Sequence, residues 1–430
     1  MMAHPVSKAL YNAVALPLAR AGALAASPFQ SKIRDALHGR KGWKSRWRQA
    51  ASGFSRQPVW CHVSSVGEYE QARPVISALK RDFPDIPVVL TFCSPSGYRF
   101  ALKRESLDYD NNIKLIDYLP IDTRGNAQLC IRLLNPRLIV FVKFDLWPNV
   151  IWEANSRGIP TVLIDATLSA SSRRHTGIGR RFYRAVYDHI DKILAIGAAD
   201  ADRFLTSAPG HPGVSIAGDT RFDRVMERRK ASISLDVDLP EGPGLRILAG
   251  STWPKDEAQI LGSLARILKE NGGLCLIIAP HEPTTERVCS LISWAAENEL
   301  SADALSRGGD TNRRVTVIDS VGILAELYSR CDMAYVGGSF STGVHSVIEP
   351  AIMGIPVLFG PVHSNSLEAL ELLRCGGAAA VMGPEEVYET VSSLVSNTEK
   401  RSSMGDAARS YVQSQLGATE RCMEAIAEYL

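Results

Sequence analysis

The chain has 430 residues, of which 45% are hydrophobic and 22% charged, and its length predicts two globular domains of about 200 residues each. The formal net charge of +2 argues against general nucleic-acid binding, which needs a strong positive field. The eight cysteines form no C-x-x-C pair and are scattered through apolar segments. This pattern favours reduced thiols in a cytoplasmic protein, and it predicts neither a disulfide framework nor a structural metal site.

Residues 1–48 form a segment distinct from the rest of the chain. Residues 6–26 are apolar, but Pro17 and Arg20 interrupt them, so the stretch falls short of about 20 clean residues for a bilayer span and predicts an interfacial helix. A collar follows, with seven Lys or Arg residues between 32 and 48 and with Trp43 and Trp47 interleaved. Such a collar prefers an anionic membrane surface, at about 1 kcal/mol per basic residue near the lipid. A signal peptide is disfavoured because no clear small-residue cleavage site is present. A solvated basic face beside a packing helix stays open.

From residue 58 onward, short apolar runs alternate with amphipathic stretches, the pattern of parallel sheets with helices on both faces. The predicted strands are 59–63, 88–92, 114–119, 138–142, 161–165, 192–196 and 214–218, and, after a polar connector at 232–244, 246–250, 274–279, 315–319, 333–338, 356–360 and 378–382. Two such series predict two doubly wound, Rossmann-like α/β domains facing each other across a cleft, at 49–220 and 221–430. Residues 399–430 are helical by composition, and this C-terminal helix is able to cross back onto the first domain.

The segment MAYVGGSFSTGVHSVIEP, residues 333–350, predicts a strand, a Gly-rich turn and a helix beginning near Val344. Gly337 and Gly338 would let a ligand approach the backbone, and free N–H groups at Ser339, Phe340 and the helix start would bind anionic oxygens. Glu349 is placed to accept hydrogen bonds from ribose hydroxyls. The alternative is an ordinary tight turn with a solvated glutamate.

The next predicted strand end repeats this arrangement, because Gly360, Asn365 and Glu368 follow the run PVLFG. Neither a G-x-G-x-x-G after a first strand nor a G-x-x-x-x-G-K-[ST] is present. Dinucleotide oxidoreductases and P-loop enzymes therefore lose their main support.

In the first series, HVSSVGEYEQARP follows the first strand at 62–74. Gly67 would permit a sharp turn and place Glu68 at the start of a helix, where the helix dipole favours the ionised form. A carboxylate in that position is able to act as a general base toward a sugar hydroxyl. An N-terminal capping glutamate is the commoner role for such a residue.

Seven segments together resemble one family, the 3-deoxy-D-manno-octulosonic acid (Kdo) transferases of lipopolysaccharide synthesis. They are SSVGEYEQARP, FCSPSGY, KFDLWPN, GDTRFDRV, AGSTWPKDE, APHEP and YVGGSFSTGVHSVIEPAIMGIPVLFGP. The resemblance runs from about Tyr11 to the end of the chain. It implies a GT-B fold and an inverting, metal-independent glycosyltransferase without a cofactor. The implied reaction moves Kdo from CMP-Kdo to a glucosamine hydroxyl of the lipid A precursor (lipid IVA), at the cytoplasmic face of the inner membrane.

By this resemblance the catalytic base falls on Glu68, with Ser65 and Gly67 shaping the acceptor-side turn. The donor-binding residues fall on Ser251, His281, Gly337, Gly338, Ser339, Glu349, Asn365 and Glu368. Pro280-His281-Glu282 departs from the family's common P-R-H, so an expected arginine is missing, and His281, Arg221 or Lys255 would substitute for it. These variant forms resemble the Bacteroidetes and Chlorobi branch. Two alternatives remain: another GT-B transferase or nucleotide-sugar epimerase, and a catalytically silent nucleotide-sugar binding protein.

Overall fold

The structure is a computed structural model that describes residues 3–105, 112–232, 239, 244–308 and 313–430. Most of the predicted connector at 232–244 therefore lies outside the described residues. The chain divides into two compact units, one formed by Met1–Arg224 with Leu416–Leu430 and the other by Val225–Gln415. The predicted boundary at 220 precedes this division by a few residues, and the last residues of the chain belong to the first unit.

The first unit contains a seven-stranded parallel sheet in the order β3-β2-β1-β4-β5-β6-β7. Its strands are β1 (Val59–Val63), β2 (Val88–Phe92), β3 (Ile113–Tyr118), β4 (Leu138–Val142), β5 (Thr161–Ala166), β6 (Lys192–Ala195) and β7 (Val214–Ile216). Alternate residues of β1 face opposite sides: Trp60 packs in one core cluster, whereas Val59, Cys61 and Val63 pack in another. Burial of both faces explains why these strands are continuous apolar runs.

Helices cover this sheet and extend from it at the N-terminus. They are α1 (Ala3–Leu10), α2 (Leu16–Ala26), α3 (Ser31–Gly39), α4 (Trp43–Ala51), α5 (Val66–Asp82), α6 (Pro95–Glu105), α7 (Arg124–Leu134), α8 (Pro148–Ser156), α9 (Gly177–Tyr187) and α10 (Ala198–Ser207), with a π-helical turn at Tyr11–Ala15 and a 3-10 turn at Arg173–His175. Helix α11 (Thr220–Ser232) crosses the division between the units.

The second unit contains a second seven-stranded parallel sheet, in the order β10-β11-β9-β8-β12-β13-β14. Its strands are β8 (Arg246–Thr252), β9 (Cys275–Pro280), β10 (Ala302–Ala304), β11 (Val315–Val317), β12 (Met333–Val336), β13 (Val357–Phe359) and β14 (Ala378–Ala380). Its helices are α12 (Pro254–Glu270), α13 (Thr285–Glu297), α14 (Leu324–Tyr328), α15 (Ile348–Met353), α16 (Leu367–Arg374), α17 (Pro384–Ser396) and α18 (Thr398–Ser414), with a 3-10 turn at Leu305–Arg307. The predicted two-domain α/β fold is confirmed.

The C-terminal segment is two helices rather than one. Gly417, at φ 89°, separates α18 from α19 (Ala418–Ala427), because glycine adopts this left-handed conformation without steric cost. Cys422, Met423 and Ile426 of α19 join the core of the first unit. Asp223 fastens the start of α19 by accepting hydrogen bonds from the N–H groups of Gly417 and Thr419 at 2.8 and 2.6 Å.

The two tryptophans of the basic collar do not face a membrane, which corrects that part of the prediction. Trp43 and Trp47 are buried, and the Trp47 ring lies edge-on against Trp60, 5.6 Å between centroids. Asp117 accepts hydrogen bonds from Trp47 Nε1 at 3.0 Å and from Arg46 at 2.8 and 2.9 Å. Since Trp43 and Trp47 are four residues apart, they share one face of α4, and that face packs on the sheet.

The apolar N-terminal segment has the predicted bounds to within one residue, but its helix is not interrupted. Residues Pro5–Ala26 form one helical stretch of 22 residues that is long and apolar enough to cross a membrane, and none of it is buried. Pro17 does not end the helix, because a π-helical turn at Tyr11–Ala15 directly precedes it, and such turns re-route the backbone hydrogen bonds that proline disrupts. The prediction that this stretch falls short of a span was wrong.

Candidate active site

Each sheet has a switch point beside a central strand, where the order of the strands along the chain reverses its direction across the sheet. In the first unit β1 pairs with β2 on one side and β4 on the other. In the second unit β8 pairs with β9 and β12. Ligands of open α/β sheets bind outside the carboxyl ends of the strands at such points. Glu68 follows β1, Gly337 follows β12, and Ser251 is the last residue but one of β8, so each of these predicted site residues lies at the switch point of its own unit.

Glu68 lies in the first turn of α5, where it is 6% exposed. Its Oε2 accepts a hydrogen bond from the N–H of Ser64 at 2.5 Å, and its own N–H donates to Ser65 Oγ at 3.3 Å. Burial raises the pKa of Glu68, and the negative charge of Asp145 adds to this, while the Ser64 bond, His62 and Lys143 oppose it. A carboxylate with a raised pKa is better matched to proton transfer near neutral pH.

Ser65 is the N-cap of α5, because its side chain accepts the hydrogen bond from the Glu68 N–H. The Glu68 side chain accepts from the Ser64 N–H, so Glu68 contributes to capping and also lies at the switch point. Gly67 does not form the expected sharp turn. It lies inside α5, and a Cβ added there would have its nearest neighbour at 3.9 Å.

A hydrogen-bonded group lies beside Glu68, at the ends of β1, β2 and β4. His62 Nδ1 lies 2.9 Å from Thr91 Oγ1, which also accepts a hydrogen bond from Trp60 Nε1 at 2.9 Å. We assign the Thr91 hydroxyl as the donor and Nδ1 of His62 as the acceptor. The proton of His62 then lies on Nε2, which donates to Asp145 at 3.4 Å. Burial alone would raise the pKa of Asp145, but hydrogen bonds from His62 and Trp147 outweigh it and lower the pKa. Asp145 is therefore a fixed negative charge near Glu68.

In the second unit three aromatic rings stack at the ends of β8, β9 and β12. The His281 ring lies between Trp253 and His345, with centroids 4.6 Å from each. Trp253 Nε1 donates a hydrogen bond to His345 Nε2 at 3.0 Å. Burial, and then the neighbouring His281, lower the pKa of His345. A neutral His345 that accepts at Nε2 carries its proton on Nδ1.

The Gly-rich turn after β12 is organised by Asp256, a fully buried carboxylate. Asp256 accepts hydrogen bonds from the N–H groups of Gly338 at 2.9 Å, Phe340 at 3.2 Å and Trp253 at 2.9 Å, and from Tyr335 Oη at 3.0 Å. The expectation that the Phe340 amide is free for a ligand is therefore wrong. The helix also begins at Ile348 rather than near Val344.

Ser251, Gly337 and Ser339 are held tightly by this turn. Ser251 has a positive φ of 54°, a conformation that is strained for residues other than glycine and is concentrated at functional sites. A Cβ on Gly337 would come within 2.2 Å of the Ser251 carbonyl oxygen, so only glycine fits. The buried Ser339 hydroxyl accepts from the Gly360 N–H at 2.6 Å and donates to the Val336 carbonyl at 3.2 Å, and these bonds hold the turn in place.

The remaining predicted donor residues have partners within the second unit. Glu349 accepts a hydrogen bond from Arg228 at 3.0 Å. Asn365 clamps the backbone of Val344, accepting from its N–H and donating to its carbonyl, each at 3.2 Å. Glu368 is buried and accepts from Ser366 Oγ at 2.7 Å. Among the residues that the structure describes, no group of three or more His, Cys, Asp or Glu side chains is arranged to hold a metal ion.

Sequence reasoning did not single out Asp256, Trp253, His62 or Asp145. All four were quoted only as parts of longer segments that follow apolar strands. The sequence feature that could have identified them is that polar residues stand at the ends of neighbouring strands. Asp145 follows β4, His62 lies near the end of β1, and these strands are neighbours. Trp253 and Asp256 follow β8, next to β12.

Comparisons with known proteins give one consistent family. Residues 41–224 match the model of the family described as 3-deoxy-D-manno-octulosonic-acid transferase (kdotransferase). The chain is 26% identical over 385 residues to the 3-deoxy-D-manno-octulosonic acid transferase of Chlamydophila psittaci, which covers 86% of this chain and 85% of that protein. It is 25% identical over 378 residues to the enzyme of the same name from Haemophilus influenzae, covering 87% of each.

Solved structures with a similar fold include nucleotide-sugar epimerases. A putative UDP-N-acetylglucosamine 2-epimerase from Listeria monocytogenes has a TM-score of 0.60 and 14% identity, covering 86% of this chain and 96% of that one. The UDP-GlcNAc 2-epimerase from Neisseria meningitidis, solved with UDP-GlcNAc, has a TM-score of 0.60 and 16% identity, covering 86% and 100%. At these identities the likeness shows the two-domain α/β fold alone.

Proposed function

Because this chain belongs to the 3-deoxy-D-manno-octulosonic acid transferase family of glycosyltransferases, we propose that it transfers Kdo from CMP-Kdo to a glucosamine hydroxyl of the lipid A precursor. The observation that carries the proposal is Glu68, a buried carboxylate at the switch point of the first sheet, with a pKa that burial raises. The second unit offers strand-end residues for the donor at its own switch point.

In the proposed reaction the acceptor oxygen attacks the anomeric carbon of Kdo as the bond from that carbon to the phosphate oxygen breaks. Glu68 takes the proton of the acceptor hydroxyl, and CMP leaves with the bonding electron pair. The transfer inverts the anomeric configuration, since attack and departure occur on opposite faces. No metal or cofactor takes part in these steps.

The donor set in this proposal is Ser251, His281, Gly337, Gly338, Ser339, Glu349, Asn365 and Glu368. In this proposal His281 and His345 contact the anionic groups of the bound CMP-Kdo. His281 presents an exposed edge, and its stacking against Trp253 and His345 fixes its ring plane. The two histidines replace the backbone amides of the Gly-rich turn, which the sequence had suggested for this role. Asp256 already accepts the hydrogen bond from one of these amides, the Phe340 N–H. The Gly337 position then serves close approach of the donor to the backbone.

The enzyme works, in this proposal, at the cytoplasmic face of the inner membrane. The exposed helical stretch Pro5–Ala26 supplies the anchor. The exposed members of the basic collar, namely Lys32, Arg34, Lys41, Lys44 and Arg48, supply attraction to anionic lipid.

Release of CMP tests this function directly. Purified full-length protein, given CMP-Kdo and the tetra-acylated precursor, is expected to release CMP and to form a product heavier by one or more Kdo residues in mass spectra. EDTA is expected to leave the rate unchanged. Absence of CMP release from the intact chain, or hydrolysis of a UDP-sugar in its place, would overturn the proposal.

A further inference from the structure

An apolar groove of about 420 Å³ lies in the first unit, between the N-terminal helices and the carboxyl end of the sheet. Leu16, Ala23 and Leu24 of α2 and Ile33 and Ala36 of α3 line one part of it. Pocket volumes of about 300–1,000 Å³ are typical of small-ligand sites. The lining is almost entirely carbon, which suits a hydrocarbon rather than a sugar or nucleotide.

The same helical stretch also carries exposed apolar side chains. Leu10, Val14 and Leu18 are 50%, 45% and 67% exposed, and Leu24, which also lines the groove, is 59% exposed. Exposed apolar side chains on one helical stretch mark a membrane or partner contact. Leu24 belongs both to this exposed set and to the groove lining, so the groove and the contact share one helical stretch.

Two basic side chains lie among the residues that line the groove. Arg20 and Lys32 are exposed and contribute to the lining. An apolar groove with cations at its edge matches a lipid whose head group is anionic.

Two other lining residues of the groove, Ser94 and Trp147, contact the residues around Glu68. The N–H of Ser94 donates to the Ser64 carbonyl at 2.9 Å, and the N–H of Ser64 donates to Glu68. Trp147 donates to Asp145 at 3.2 Å, the residue whose charge acts on the Glu68 pKa. The groove is therefore lined both by α2 and by residues that contact the surroundings of the candidate base.

We propose that this groove holds one acyl chain of the lipid acceptor and so places the acceptor's sugar hydroxyl at Glu68. The inference rests on the proposed function, since it names how the acceptor of that reaction is held. The chain's apolar length fills the groove, Arg20 and Lys32 meet the anionic head group, and the sugar extends past Trp147. Acyl-chain binding then contributes to the specificity for the acceptor.

The test fills the groove. Ala23→Phe and Ala36→Phe place a ring in it, and Ala199→Phe, at an exposed position of α10 outside the groove and the N-terminal stretch, is the matched control. Each protein is assayed with the tetra-acylated precursor and with the deacylated, phosphorylated glucosamine disaccharide. Binding to vesicles of anionic phospholipid is measured in parallel.

We expect the KM for the acylated acceptor to rise about tenfold or more in both filled variants. Turnover of the deacylated acceptor, vesicle binding and the control variant should stay at wild-type values. An unchanged KM in the filled variants of an active enzyme would overturn the inference and leave the proposed function standing. A loss of activity that merely follows a loss of vesicle binding would also overturn it, because the groove would then hold ordinary phospholipid. Inactivity of the wild type toward both acceptors would instead overturn the function itself.

Discussion

Glu68 is the residue whose replacement tests the proposed chemistry most directly. Glu68→Gln keeps the shape of the side chain and an oxygen for the Ser64 N–H, but the amide cannot take a proton. We expect kcat to fall by about 10²–10⁴-fold, the usual contribution of a general base. CMP affinity, measured by calorimetry, should not change, because the donor residues belong to the second unit. The exposed Asp85→Asn is the control, and a Glu68→Gln enzyme of wild-type rate would remove Glu68 from the mechanism.

The pH dependence of the rate follows from the raised pKa of Glu68. Only the ionised carboxylate accepts a proton, so the rate should fall as the pH falls through that pKa. Because burial raises the pKa above the ordinary glutamate value of 4.5, the acidic limb of kcat should have its inflection above that value. The residual rate of Glu68→Gln should lack this limb. An inflection at or below the ordinary value would contradict the burial argument.

Asp256 is expected to matter for both stability and donor binding in the second unit. Its two oxygens accept four hydrogen bonds, and Asp256→Asn would place an N–H₂ group against at least one buried N–H donor. We expect unfolding to become easier by about 2–4 kcal/mol in a urea titration and CMP affinity to fall. Asp332→Asn, at the amino end of the strands of the same sheet, should lose some stability but keep CMP affinity. Wild-type CMP affinity in Asp256→Asn would separate this turn from the donor site.

At the scale of secondary structure, the sequence predicted the strands well because buried parallel strands are unbroken apolar runs. The exception is β10, Ala302–Ala304, a three-residue edge strand in a polar context that carries no such signal. The start of α15 was also misplaced. Gly343 and the three residues after it looked compatible with a helix, but Asn365 holds the Val344 backbone in an extended loop.

Side-chain partners were harder to predict than strands, because they depend on contacts far apart in sequence. Trp47 seemed suited to a membrane surface until its partner Asp117, 70 residues away, was known. Asp256 was not singled out from the sequence, because its partners Gly338 and Phe340 lie more than 80 residues later. The strand ends at the switch points were predictable, but the side chains that form hydrogen bonds within the fold were not.

The N-terminal helical stretch is expected to govern membrane attachment. Leu18→Glu places a charge on its exposed apolar face, and we expect binding to anionic vesicles to weaken about tenfold or more, since it removes a leucine from the lipid. Val321→Glu makes the same change at an exposed valine of the second unit and should bind like the wild type. Sedimentation with vesicles measures both. Equal binding by Leu18→Glu and the wild type would show that attachment does not depend on this face.

Over the whole molecule, the first unit is closed by segments from both ends of the chain. The N-terminal stretch is fastened by Tyr11, whose hydroxyl donates to Asp122 at 2.9 Å, and the C-terminal α19 adds to the core. Asp122 also accepts the N–H groups of Asn149 and Val150 at 2.9 and 3.2 Å. Burial raises the pKa of Asp122 to about 7, so the ionisation of this carboxyl opposes the folded state.

The sign of the resulting pH effect can be worked out. Between the unfolded pKa, near 3.8, and about 7, the folded chain holds a proton at Asp122 that the unfolded chain has lost. The free energy of unfolding should therefore decrease as the pH rises through this window, by at most about 1.4 kcal/mol per pH unit from this group. Asp122→Asn removes the titrating group and should make the dependence shallower. Tryptophan fluorescence during urea unfolding is a suitable measurement, because Trp43, Trp47, Trp60, Trp147 and Trp152, five of the seven tryptophans, belong to the first unit. If the free energy of unfolding changes equally with pH in the variant and the wild type, Asp122 is ionised in the folded protein throughout this window. The Tyr11 hydroxyl would then donate to a charged carboxylate.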